Sequence, residues 1–181
     1  MKVIFISDVH GSMMAIKKAL KAVEQEKADQ IVLVGDLMYH GPRNPLPEEY
    51  APADVAQLLN TYKNKIIAVR GNCDSEVDQM LLDFPMMADY TVLQTEGQYF
   101  YITHGHLHTP MDPPALPKKA IFVSGHTHLP VAEKEGDLFF FNPGSVALPK
   151  GGFQASYGVF EGNTLTVKDF NGETIKSTTL D

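Results

Sequence analysis

The chain contains one cysteine, Cys73, which excludes an intramolecular disulfide and any zinc site built on a cysteine cluster. Arginine is almost as scarce. Only Arg43 and Arg70 occur, and 15 Lys and Arg stand against 22 Asp and Glu, for a formal charge of −7. A protein that grips polymeric nucleic acid or an anionic membrane through its overall charge shows the opposite balance, so neither is an expected partner. An anionic substrate would need positive charge supplied locally, which bound metal can provide. Long apolar runs are missing too. The start, MKVIFISDVHG, soon reaches an acidic residue, which fits neither a secretory signal nor a transit peptide, and no stretch approaches membrane-spanning length. The expected location is the cytoplasm.

What is present is ordinary globular composition. The chain has 181 residues, 44% hydrophobic and 20% charged, enough for one domain with a substantial core and short for two. No repeat, low-complexity segment or composition shift marks a boundary, so residues 1–181 read as a single domain. Val3–Ile6, Ile31–Val34 and Lys65–Val69 read as buried strands. Ser12–Lys27, Ala53–Tyr62 and the shorter Ser75–Leu82 carry helical patterns, and the four prolines of His40–Pro52 make that segment a loop. Beyond Tyr90 the pattern changes to hairpins. Asp89–Gln94 and Gln98–Thr103, Val131–Lys134 and Leu138–Phe141, and Tyr157–Phe160 and Leu165–Phe170 each flank a glycine-containing break. Ala120–Ser124 is a further buried strand behind a proline-rich connection, and a last strand lies around Thr174–Thr179. The pattern implies an α/β domain with two packed sheets and helices outside.

The informative polar residues occupy one structural position, repeated. VIFIS is followed by Asp8-Val9-His10, IVLVG by Asp36, IIAVRG by Asn72, YFYIT by His104, and AIFVSG by His126-Thr127-His128. Ligand sites in α/β sheets form beyond the carboxyl ends of strands. Each residue alone has an ordinary use, since Asp and Asn after strands serve as turn formers and helix caps. Caps do not call for histidine, yet three of the five exits carry it. The set therefore points to metal. Imidazole, carboxylate and amide donors suit Mn²⁺, Fe, Zn²⁺, Co²⁺ or Ni²⁺ and argue against Ca²⁺. Seven donors are too many for one tetrahedral ion and fill two sites if one carboxylate is shared.

D-x-H, G-D, G-N-x-D, H-G-H and G-H-T-H, in this order after successive strands, resemble the five blocks of the calcineurin-like metallophosphoesterases. They span Asp8 to His128. The small size, the GNCD block, HGPRN at His40–Asn44 and NPGS at Asn142–Ser145 are similar to the YfcE-like bacterial phosphodiesterases. The resemblance implies a four-layer α/β/β/α sandwich. It also implies two divalent ions, expected to be Mn²⁺, with Asp8, His10, Asp36 and His128 around the first and Asp36, Asn72, His104 and His126 around the second. Asp36 would bridge them and orient an attacking hydroxide on a small phosphodiester. A phosphomonoesterase and a protein-binding scaffold on the same fold are the alternatives, the scaffold disfavoured because no ligand is missing. The sequence leaves room for a homo-oligomer.

The chain departs from the wider family at Cys73, where many members carry a histidine that contacts the phosphoryl or leaving oxygen. Asp74, with no histidine to orient, is expected to cap the helix starting at Ser75. Arg43, in the loop after Asp36, is a candidate for holding a phosphate oxygen. Cys73 and His106 are the other candidates for contact with substrate. NPGS reads as a turn supporting the site loops, without chemistry of its own.

Overall fold

In the computed structural model, which describes residues 1–181, the elements along the chain are β1 (Val3–Ile6), α1 (Met13–Gln25), β2 (Gln30–Leu33), α2 (Pro52–Asn60), a 3₁₀ turn at Lys63–Lys65, β3 (Ile66–Ala68) and α3 (Glu76–Gln79). Then follow β4 (Tyr90–Thr95), β5 (Gln98–Thr103), β6 (Ile121–Val123), β7 (Pro130–Glu135), β8 (Leu138–Pro143), β9 (Ser156–Glu161), β10 (Thr164–Asp169) and β11 (Thr174–Thr179). All four residues of β1 are fully buried, so this strand needs cover on both faces. Ile4 and Ile6 pack towards α1 and α2, while Val3 and Phe5 pack towards a second sheet. Ser12 starts α1, its Oγ accepting from Ala15 N at 3.1 Å, and Ile16, Ala19, Leu20 and Val23 form the buried face. Pro52 occupies the first turn of α2, where its missing N–H leaves no intrahelical bond unmade.

The first sheet has the order β11-β10-β9-β1-β2-β3, with β1, β2 and β3 parallel and β9 antiparallel to β1. The second has the order β4-β5-β6-β8-β7, with β5, β6 and β8 parallel. Phe5 joins them, its ring stacked on Phe100 at 5.9 Å and edge-on to Phe141 at 5.3 Å. The α/β class and the two packed mixed sheets are those expected, and the hairpins fall at the glycine breaks. The outermost layer differs from a helix. Over Tyr101, Phe122 and Phe140, on the outer face of the second sheet, lies Leu116 from irregular chain between β5 and β6. Pro110, Pro113, Pro114 and Pro117 explain this, because each removes an N–H and blocks the helical ladder. No helix is long and apolar enough to cross a membrane.

This topology brings five strand ends to one edge of the sandwich. Asp8 N donates to Gly35 O at 3.2 Å, His10 N to Asp36 O at 2.9 Å, and Gly125 N to His104 O at 2.8 Å. The exits of β1 and β2 are thereby locked to each other, as are those of β5 and β6.

Candidate metal centre

Five residues at these exits adopt left-handed backbone: Asp8 (φ 57°), His10 (49°), Asp36 (55°), His126 (65°) and His128 (61°). Such a conformation costs a residue with a Cβ about 1–2 kcal/mol, and persists only where surrounding bonds over-determine it. The interlocked exits supply those bonds. They turn Asp8, His10, Asp36 and His128 into one small volume rather than letting them alternate across a strand.

Asp8, His10 and His128 bring donor atoms within 4.8 Å of one another, as do Asp8, Asp36 and His104, and all five are buried. His128 Nε2 lies 3.2 Å from Asp8 Oδ1, and His104 Nε2 lies 3.4 Å from Asp36 Oδ2. His10 Nε2 sits between the carboxylates, 3.7 Å from Asp8 Oδ1 and 3.8 Å from Asp36 Oδ2. The other nitrogen of each ring meets a backbone carbonyl: His10 Nδ1 with Tyr39 O at 2.9 Å, His104 Nδ1 with Val34 O at 2.7 Å, and His128 Nδ1 with Leu148 O at 2.5 Å. A carbonyl can only accept, so Nδ1 carries the proton, and a neutral ring then presents an Nε2 lone pair inward. That is the tautomer and orientation of a metal-ligating histidine. Asp8 Oδ1 and His104 Nε2 are also buried without a well-formed hydrogen bond. Orphaned inward-facing donor atoms of this kind fit a cation.

The electrostatics agree. Burial would raise the Asp8 carboxyl, yet the surrounding imidazoles of His10, His128 and His104 prevail and hold it well below the usual range. Burial likewise opposes charge on His104, but the Asp36 carboxylate 3.4 Å away and the field of Asp8 lift it to about 9. Without a metal, the acids draw protons onto these rings. Protons and cations therefore compete for the same lone pairs.

The remaining expected residues are arranged more loosely. His126 stands beside His104, ring centroids 5.2 Å apart, and is only half-buried. Asn72 is exposed, and its Nδ2 donates to Cys73 Sγ at 3.2 Å. Both line a cleft of about 500 Å³ together with Asp36, His128, Arg43, Cys73 and Lys150. His106 packs against His104 and His126 but is not on the cleft wall. Burial, and then Asp36, push the Cys73 thiol up to about 12, so it is neutral. Lys150 was not anticipated from the sequence.

Asp74 does not cap the helix. Ser75 does so in a capping box with Asp78, whose carboxylate accepts from Ser75 N at 2.9 Å. The buried Asp74 carboxylate instead accepts three backbone N–H groups, from Asp36 and Gly71 at 2.7 Å and Leu37 at 2.8 Å, and clamps the exits of β2 and β3 together. The NPGS turn braces the other side. Asn142 Nδ2 donates to Gly125 O at 2.8 Å, and Ser145 Oγ donates to Asp8 O at 2.9 Å.

Residues 1–164 match the calcineurin-like phosphoesterase superfamily domain. The chain belongs to this superfamily. It is 53% identical over 175 residues to phosphodiesterase YfcE of Escherichia coli K12, covering 97% of this chain and 95% of that protein. The solved structure of YfcE, described as a phosphoesterase from E. coli, superposes with a TM-score of 0.98 at 49% identity over 100% of both chains. Vps29 of Chaetomium thermophilum shares the fold alone, with a TM-score of 0.64 at 18% identity over 99% of both chains. In a calcineurin-like phosphoesterase, the buried acid–imidazole group at the strand exits is the candidate site for divalent metal.

Proposed function

We propose that this protein is a metal-dependent phosphodiesterase in which Asp8, His10, Asp36 and His128 hold one divalent cation and Asp36, Asn72, His104 and His126 hold a second. Mn²⁺ is the proposed ion, with Fe, Zn²⁺, Co²⁺ and Ni²⁺ compatible with the same donors. The observation that carries the reading is the set of three buried imidazoles, each with Nδ1 spent on a backbone carbonyl and Nε2 aimed at Asp8 or Asp36. The phosphodiesterase activity for which YfcE is named supports the choice of reaction. When bound, a pair of such cations supplies Lewis acidity towards the phosphoryl oxygens and lowers the pKa of water.

The chain's own groups do the positioning. Asp36 serves both sites because its carboxylate has neighbours on each side, His10 and His104, while Cys73 N fixes Oδ1 at 2.8 Å. Arg43 on the cleft wall offers a fork of donors to an anionic oxygen of the substrate outside the proposed metal centre. His106 backs His104 and His126 and is assigned no contact with substrate.

Cys73 sets the preference between esters. A thiol is a weaker acid and a weaker hydrogen-bond donor than imidazolium, so no strong proton donor stands at the family's histidine position. Poor leaving groups and the extra charge of a monoester suffer most from that absence. With Mn²⁺ present, wild-type protein is expected to hydrolyse bis(p-nitrophenyl) phosphate with higher kcat/KM than p-nitrophenyl phosphate. Cys73→His is expected to raise the monoester-to-diester ratio about tenfold or more, less than the roughly hundredfold or more a general acid typically contributes because p-nitrophenolate leaves readily without a proton. Cys73→Ser should change the ratio little. A wild-type preference for the monoester, or loss of turnover in Cys73→Ser with its metal content intact, would show that the position has been misread.

A further inference from the structure

The cleft in front of the proposed metal residues holds more positive charge than a simple diester requires. Arg43 enters it from the proline-rich loop after β2, and Lys150 from the segment after β8. Neither has a carboxylate within 4.0 Å, whereas Arg70 is paired with Asp89 and Lys118 with Asp137. Asp36 is the only carboxylate on the cleft wall, and it belongs to the proposed metal centre. The two cations thus face the cleft uncompensated, in a chain whose formal charge is −7.

Both are held by backbone geometry. Arg43 lies between Pro42 and Pro45 in a turn closed by Asn44, whose N–H donates to Gly41 O at 3.4 Å and whose Nδ2 donates to His40 O at 2.8 Å. Lys150 N donates to His128 O at 3.3 Å and Lys150 O accepts from Phe153 N at 3.2 Å, while Leu148 O accepts a hydrogen bond from His128 Nδ1. The backbone carrying Lys150 is therefore tied to a proposed metal-ligand loop. Such preorganisation lowers the cost of binding an anion there.

The phosphoryl group of a diester bears one negative charge, which the proposed pair of cations already covers. We infer that Arg43 and Lys150 form a second anion subsite, and that the substrate is a small phosphodiester carrying a further phosphate-class group beyond the scissile phosphorus. The inference rests on the phosphodiesterase reading and extends it to a substrate class. The wall carries no Phe or Tyr, so recognition is by charge rather than by stacking of a base. Two cations also fall well short of the roughly 6–10 phosphate contacts of a protein that grips a nucleic-acid polymer.

The test compares two substrates that differ only in that group: thymidine 5′-(p-nitrophenyl phosphate), and the same compound bearing a 3′-phosphate. With Mn²⁺-loaded protein, kcat/KM is expected to be about tenfold or more higher for the 3′-phosphorylated compound, as charge-assisted hydrogen bonds allow. Lys150→Gln should bring this ratio to within about threefold of unity, and Lys150→Glu should reduce it further. Lys150 is exposed and has no side-chain partner, so these variants leave the core untouched. Calorimetric Kd values for thymidine 3′,5′-bisphosphate and thymidine 5′-monophosphate supply a readout independent of turnover, and should show the same preference and the same loss. A wild-type ratio near unity, or a ratio that both Lys150 variants leave unchanged, overturns the subsite. Failure to hydrolyse either compound with any divalent metal would overturn the phosphodiesterase reading instead, and the calorimetric ratio would still decide whether the subsite exists.

Discussion

Asp36→Asn is expected to lower kcat/KM on bis(p-nitrophenyl) phosphate by at least about a hundredfold and to reduce the Mn²⁺ content of the purified protein. Asp36 is the one carboxylate with an imidazole of each proposed site within 4.0 Å, His10 at 3.8 Å and His104 at 3.4 Å. Its backbone sits at φ 55°, a conformation that Asn tolerates better than most residues. The amide can still accept from Cys73 N, so the substitution removes charge while preserving shape. A fold defect is thus an inadequate explanation for the loss. Kinetics on the Mn²⁺-saturated variant, with elemental analysis of the same sample, checks both halves. Wild-type metal content with wild-type turnover would remove Asp36 from its proposed role.

Gly71→Ala should be nearly as damaging, although Gly71 bears no functional group. A Cβ built at Gly71 falls well under 3.0 Å from Asp36 Oδ1 and Asp36 N, and 2.8 Å from Asp36 Cγ. Asp36 cannot move aside freely, because its N–H is bound to the buried Asp74 carboxylate at 2.7 Å and its carbonyl accepts from His10 N at 2.9 Å. The strain should destabilise the fold by about 1–3 kcal/mol, the range for an overpacked interior. Activity should fall by about a hundredfold, the effect of misplacing a catalytic group by an ångström. Thermal unfolding and kcat/KM measured on one preparation separate the two effects. An alanine variant matching wild type in both would mean that the β2 and β3 exits are not as tightly joined as the geometry implies.

The sequence revealed the exits more clearly than what holds them. Asp8-Val9-His10 and His126-Thr127-His128 stand out because histidine directly after a buried apolar run has no role in capping a turn. Asp74, with no histidine to orient, reads locally as a cap for the helix at Ser75, yet its three partners, Asp36, Leu37 and Gly71, belong to exits brought together only by the parallel pairing of β2 and β3. Lys150 gave no local signal, since a lysine in a Gly-rich turn is usually a solvated charge. It reaches the cleft through the clasp between His128 and residues 148–150. The outer layer over the second sheet shows the opposite failing. The prolines of residues 110–117 were plainly visible, and they outweigh the helix that family resemblance places there.

Metal titration of the chelator-treated protein tests the two-ion centre most directly. Chelation should abolish hydrolysis of bis(p-nitrophenyl) phosphate, and stepwise Mn²⁺ should restore it as the protein binds two ions per chain, measured by elemental analysis after removal of free metal. Saturation at one ion or none, or full activity in the chelated protein, would contradict the shared role of Asp36 and with it the proposed two-ion centre.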